Sequence, residues 1–338
     1  MTDTTVTPDT TPGGRGVLTA RLGDLQRRAP VLQIVALVVL FVYGSIDIEG
    51  FSQWPNVKSM LTLAALLALA ALGQTLVMIL GGLDLSVPGF IVMGAIGVSQ
   101  LYGADGWPAI GAILVPVLVG AVLGALAGWI CHTFRIQPLI VTLGIGGVAA
   151  GASVAWTKGE LTGTAPTFLT TLTSPAETTF GIDIPPIVAI TVLVAIVAAV
   201  IMHRTRSGRR MYATGANPVA ANLTRINTRT IWISVFALSA ICSVLVGILL
   251  AGFSGADQSL GDPYLFQGLT AVIVGGTTIM GARGDYIHTV IGALILTVLT
   301  TILVGNDVDS ATQQIIFGLL ILAVVAGYGR DRRLRDRI

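Results

Sequence analysis

His203-Arg204-Thr205-Arg206-Ser207-Gly208-Arg209-Arg210 runs on as Met211-Tyr212-Ala213-Thr214-Gly215-Ala216-Asn217-Pro218-Val219-Ala220-Ala221-Asn222-Leu223-Thr224-Arg225-Ile226, a polar island between two long apolar segments. Residues 203–229 hold six arginines. Short basic loops are poorly translocated, so the island belongs on the cytoplasmic face of a membrane. It is longer than a tight connector needs. A small amphipathic helix after Tyr212 would turn it into a docking surface for a soluble partner. Asn217-Pro218 has the form of a helix start, with Asn as cap and Pro in the first turn.

The flanking sequence agrees with a membrane setting. The chain is 54% hydrophobic and 11% charged, with mean hydropathy +0.85, against about 25% charged in an average soluble domain. Crossing about 30 Å of hydrocarbon at about 1.5 Å per residue takes about 20 apolar residues. Such segments recur at 30–46, 58–80, 88–103, 107–131, 138–157, 185–203, 230–252, 264–281, 286–305 and 310–329. The expectation is an all-α polytopic membrane protein with ten spans. The alternating segments of about ten residues that mark a membrane β-barrel are not evident. Pro30, Pro88, Pro138 and Pro185-Pro186 open spans, and Pro116 inside the fourth predicts a kink.

Charge orients these spans. With the N-terminus inside, 17 of the 19 basic residues fall inside and only Lys58 and Lys158 outside, while 10 of the 17 acidic residues fall outside. Inverting the chain or removing one span destroys this segregation, so ten spans with both termini cytoplasmic are expected. Residues 1–29 read as a disordered basic cytoplasmic tail, 30–329 as the transmembrane domain with its cytoplasmic loop at 204–229, and 330–338 as a second basic tail. The Thr-rich stretch 158–184 is the longest outer loop, long enough for an external partner to contact.

Several chemistries are excluded. The chain has two lysines and neither follows a glycine, so no phosphate-binding G-K-[ST] exists and any ATP must be bound by another chain. Gly144-Ile145-Gly146-Gly147-Val148-Ala149 fits G-x-G-x-x-A but lies within an apolar span, not in a βαβ unit. His132, His203 and His288 are far apart and lack metal-ligand spacing. Cys131 and Cys242 read as buried small apolar residues, not a disulfide. Span interiors are almost free of ionisable groups, which argues against proton coupling and intramembrane catalysis. Glycine is frequent, 41 of 338 residues, and Gly120-xxx-Gly124-xxx-Gly128 forms a stripe suited to close helix approach.

One acid stands out. Gly81-Gly82-Leu83-Asp84-Leu85-Ser86-Val87-Pro88-Gly89 breaks one helix and starts the next. Asp84 or Ser86 can cap the second helix. Alternatively the break lies at a transport path, where interrupted helices line cavities.

These residues carry a family resemblance. Gly81-Gly82-Leu83-Asp84-Leu85-Ser86-Val87 resembles the G-G-I-D-L-S-V-G motif of the ribose-type sugar permeases, the membrane subunits of bacterial ABC importers for ribose, xylose, arabinose and related solutes. Gly208 to Ile226 resembles their cytoplasmic loop, G-x-x-x-Y-A-x-G-x-N-x-x-A-A-x-x-x-G-I, which places Gly208, Tyr212, Ala213, Gly215, Asn217, Ala220 and Ala221 in the pattern. Val274-Gly275-Gly276-Thr277-Thr278-Ile279-Met280-Gly281-Ala282-Arg283-Gly284 is similar to V-G-G-T-S-x-x-G-G-x-G, and Gln313-Gln314 with Gly318 to the start of the final span. Pro88, Ala216 and Arg225 depart from the pattern. The resemblance covers about 58–328. It implies a ten-helix fold with two inverted four-helix repeats, as in type II ABC importers. It also implies a second permease copy (identical or homologous), a cytoplasmic ABC ATPase carrying ATP and Mg, and an extracytoplasmic sugar-binding protein. No cofactor or nucleic acid is expected on this chain, which would sit in the bacterial inner membrane as a transport subunit, not an enzyme. The 204–229 loop would couple to the ATPase, Tyr212 anchoring its helix and Gly215 and Ala220 allowing close approach. Gly81, Gly82, Asp84, Ser86, Gly275, Gly276 and Thr277 would lie at the helix breaks or translocation path. A permease for branched-chain amino acids or another non-sugar solute is the alternative reading; a secondary transporter is a more distant one.

Overall fold

The computed structural model describes residues 30–335; the tail expected at 1–29 and residues 336–338 lie outside them. Among the described residues there is no β-strand, only an isolated bridge between Thr179 and Ile182. The helices are α1 (Val31–Asp47), α2 (Trp54–Ile79), α3 (Val87–Val98, continued by a π-helical turn Ser99–Ala104), α4 (Ala109–Phe134), α5 (Pro138–Trp156), α6 (Thr167–Thr173), α7 (Pro186–Arg204), α8 (Arg206–Ala216), α9 (Pro218–Leu223), α10 (Thr228–Ser254), α11 (Asp262–Val274), α12 (Tyr286–Gly305) and α13 (Ser310–Arg335).

Among the described residues, seven helices are long and apolar enough to cross a membrane: α2, α3 with its π turn, α4, α5, α7, α10 and α12. The apolar lengths of α1 and α13 are shorter, Val31–Asp47 and Ser310–Ala326. The span expected at 264–281 differs most. Its helix, α11, has 13 residues and stops at Val274. Gly276 then takes φ 92°, a left-handed conformation that glycine adopts without steric penalty, and the chain turns out of the helix. An unexpected short helix, α6, lies in the Thr-rich loop.

Burial separates the inner helices from the outer ones. In α2, 89% of the apolar window is buried, against 22% in α4, α5 and α7. The outer helices turn side chains such as Leu118, Val122, Ile140, Leu143 and Leu193 outward, as contact with lipid requires. At the centre α10 packs on α4 along the glycine stripe. A Cβ at Gly124 would sit 2.6 Å from both Ala240 Cβ and Phe236 O, and one at Gly128 2.6 Å from Trp232 O. Close approach is what that spacing is for. Cys131 and Cys242 are both free.

At one end of the bundle, Asp183 before α7 accepts hydrogen bonds from Lys58 Nζ (2.8 Å) and Trp54 Nε1 at the start of α2. The candidate site lies at the other end.

Candidate functional site

The basic island folds into two short helices, α8 and α9. The sequence placed its helix after Tyr212; the structure starts α8 earlier, at Arg206, so Tyr212 lies inside it. Thr205 makes this start by accepting from Gly208 N. Arg206, Arg209 and Arg210 are exposed while Gly208, Met211 and Thr214 are buried, so α8 is amphipathic and rests on the bundle. The second start follows the sequence reading. Asn217 Oδ1 accepts from Val219 N and Ala220 N, both at 3.0 Å, with Pro218 in the first turn of α9.

Tyr212 anchors α8. Its hydroxyl donates to Gly284 O at 2.7 Å, and its ring stacks on His203, centroids 6.3 Å apart. His203 Nε2 lies 2.9 Å from Asp285 Oδ2, and Asp285 also caps α12 through Ile287 N. Burial, and then the Asp285 carboxylate, push the Tyr212 hydroxyl pKa above its usual value. It therefore remains a neutral donor at physiological pH.

The three sequence motifs meet beneath α8. A Cβ on Gly215 would lie 1.9 Å from Ile79 O and 3.2 Å from Ala282 N. Ala282 N in turn donates to Ile79 O at 2.9 Å, and a Cβ on Gly281 would lie 2.9 Å from Gly81 N and 3.1 Å from Gly215 O. The surface helix, the end of α2 and the 275–284 turn thus share one backbone-to-backbone contact. Gly81 (φ 84°) and Gly281 (φ 80°) supply the left-handed turns it needs. Gly275 packs its backbone against His288 and Thr289 of α12. Thr277 is buried, with no hydrogen-bond partner for Oγ1 among the described residues.

Beyond Gly82 the chain re-enters the bundle without regular secondary structure. Leu85 N donates to Thr142 Oγ1 on α5 at 2.9 Å, so this backbone is satisfied by a side chain. Asp84 is 3% exposed. One oxygen accepts from Ser86 N (2.9 Å) and Ser86 Oγ, the other from Ser239 Oγ of α10 at 2.6 Å. The capping reading is corrected here: Ser86 occupies the cap of α3, but neither side chain caps that helix. Asp84 instead ties the break to α10, eleven residues (about 16 Å) along that helix from its start.

Of the remaining positions, Ala221 is buried, Ala213 is half-buried, and Ala220 is exposed. Val219 and Leu223 beside it are 71% and 82% exposed. Sequence reasoning missed Ser239, Thr142 and Ile79, which look like ordinary helix residues. A Ser or Thr inside an apolar span opposite a lone acid was the one usable signal. Among the described residues no group of His, Cys, Asp or Glu is placed to hold a metal ion.

Residues 56–325 match the family model described as "Branched-chain amino acid transport system / permease component". The chain belongs to this permease family. It is 32% identical over 293 residues to the ribose import permease protein RbsC of Haemophilus influenzae, covering 86% of this chain and 90% of that one. The D-allose transport system permease protein AlsC of Escherichia coli K12 is 27% identical over 294 residues, 86% of this chain and 89% of its own. The autoinducer 2 import system permease protein LsrC of Escherichia coli O9:H4 is 28% identical over 314 residues, 93% and 90%. No solved structure matches the chain. The matched region contains all three motifs that meet beneath α8.

Proposed function

We propose that this chain is the membrane-spanning permease of an ATP-driven importer, carrying a monosaccharide or similar small polar solute delivered by an extracytoplasmic binding protein. Relatives named for ribose and allose import support a sugar; the family description keeps branched-chain amino acids as the second reading. The observation that carries the proposal is the shared contact of Gly215, Ile79–Gly81 and Gly281–Ala282. A force on α8 reaches, through backbone alone, the turn from which the chain re-enters the membrane.

In this reading α8 and α9 face the cytoplasm. An ABC ATPase, which binds the ATP and Mg, docks on their exposed arginines and on Val219 and Leu223. The protein sits in the bacterial inner membrane with both termini cytoplasmic and pairs with a second permease. Ten helices in two inverted repeats fit the break pattern. Each of the long helices α2 and α10 runs into a glycine-started break with a D-x-S turn. Ser86 N donates to Asp84 Oδ1 at 2.9 Å, and Ser259 N to Asp257 Oδ1 at 2.7 Å.

The purified chain alone should not hydrolyse ATP, and it should retain its ATPase through purification of the complex. Robust hydrolysis by the isolated chain, contaminants excluded, would overturn the assignment.

A further inference from the structure

The two helices that start after chain breaks, α3 and α11, begin side by side. A Cβ on Gly261, the residue before α11, would lie 2.3 Å from Pro88 O. Neither helix has a side-chain cap; in α11 the first-turn donors are met by backbone instead, Asp262 N by Ser259 O and Tyr264 N by Gly261 O, both at 3.0 Å. A cavity of about 10 Å³ lies beside these starts, lined by Gln74 of α2, Asp84, Val87, and Tyr264 and Gly268 of α11. That is room for about one oxygen atom with its hydrogens.

Two observations mark this cavity as a polar site with room left in it. Gln74 is 3% exposed, and its Oε1 has no hydrogen-bond partner among the described residues. An orphaned amide in a buried position is costly, about 1–3 kcal/mol in general, so its presence calls for a partner at some stage of the cycle. Second, Gly268 is buried yet has nothing within 4 Å of where a Cβ would stand. Space is therefore left open beside Gly268, which lines the same cavity as Gln74. Asp84 adds a further acceptor: Ser86 and Ser239 use three positions of a carboxylate that offers about four.

A hydroxyl group is the ligand that suits this set. It is small, donates one hydrogen bond and accepts others, and a side-chain amide can do both in return. A phosphate or carboxylate is opposed by Asp84 and by the size of the cavity. We propose that Gln74 is a specificity-determining residue of the permease itself, engaging one hydroxyl of a polyhydroxylated solute as it passes between the starts of α3 and α11. This rests on the sugar-import reading above and adds that selectivity is exercised again within the membrane subunit.

The test uses the complete importer in proteoliposomes, permease with its ATPase and binding protein. D-ribose, D-xylose and D-allose are supplied, then singly deoxygenated derivatives of whichever is transported, all at saturation of the binding protein. For wild type, removal of one particular hydroxyl should slow uptake about three- to tenfold, the worth of one hydrogen bond. In Gln74→Leu that ratio should fall to about one, because both partners of the contact are then absent. Gln74→Asn should give an intermediate ratio. Each ratio is read within one preparation, so the amount of folded protein cancels. If Gln74→Leu does not assemble, Gln74→Met, which keeps the chain length, is held to the same criterion. An unchanged ratio in these variants, or a wild type indifferent to every hydroxyl, overturns the inference while leaving the importer intact. Failure of wild type to transport any of the three sugars overturns the sugar reading, and the inference with it.

Discussion

Gly215→Ala adds one methyl group at the most crowded point beneath α8. The new carbon would stand 1.9 Å from Ile79 O, whereas ordinary contact begins near 3.4 Å. Helix α8 must therefore withdraw by about 1.5 Å, because its neighbour is backbone that cannot rotate aside. Overpacking of this kind costs about 1–3 kcal/mol, and weakening the adjacent Ala282 N to Ile79 O bond adds about 1 kcal/mol. At about 1.4 kcal/mol per factor of ten, the docked arrangement of α8 falls at least tenfold. The contact lies at the end of the bundle, so membrane levels should remain near normal. The assay is uptake by the reconstituted importer, with ATP hydrolysis measured in parallel. Uptake should fall about tenfold or more while the bound ATPase continues to turn over. Gly215→Trp should abolish uptake and loosen the ATPase. Uptake within twofold of wild type in Gly215→Ala would show that this contact does not transmit force.

Asp84→Ala leaves Ser86 N and Ser239 Oγ without their acceptor inside the bundle, at about 1–3 kcal/mol each. Thermal unfolding in detergent should drop by several degrees, more than for Ser239→Ala, and the double variant should show less than the sum; an unshifted Asp84→Ala contradicts the tie to α10. The Asp183 carboxyl is held below its ordinary range first by the Lys58 hydrogen bond and then by that of Trp54. Its contribution is thus present above the ordinary carboxylate value and lost only as pH falls through the lowered one. Trp54 emission should be flat from pH 7 to about 4 and change below, with no such change in Asp183→Asn; a transition above about pH 4 would count against the geometry. For topology, cysteines replacing Phe180 and Leu223, which are 102% and 82% exposed, are informative, whereas Thr214 is buried. An impermeant reagent on intact cells should label the first and spare the second; labelling at Leu223 breaks the proposed orientation.

Much of the architecture was legible because membrane helices announce themselves by length and composition. The start of α9 was equally plain: Asn217-Pro218 is a local signal, decided by one side chain and the next two N–H groups. The glycine stripe on α4 was readable for the same reason, since a four-residue spacing defines one helix face. What sequence could not show was anything set by partners distant along the chain. Asp84 resembled a cap because Ser86 and Pro88 follow it, but its second oxygen was claimed by Ser239, 155 residues away. The end of α11 was misjudged because Gly275-Gly276-Thr277 is apolar enough to continue a span, whereas backbone freedom at Gly276 ended it. The meeting of the three motifs was invisible in the same way. Each reads as a separate loop, and only the fold brings Gly215, Gly81 and Gly281 together.

The most direct test of the account is solute uptake into proteoliposomes holding this chain with and without its ATPase and binding protein. Uptake of a sugar should require all components and ATP, and should persist when proton and sodium gradients are collapsed. Uptake by this chain alone, following an ion gradient and indifferent to ATP, would contradict it.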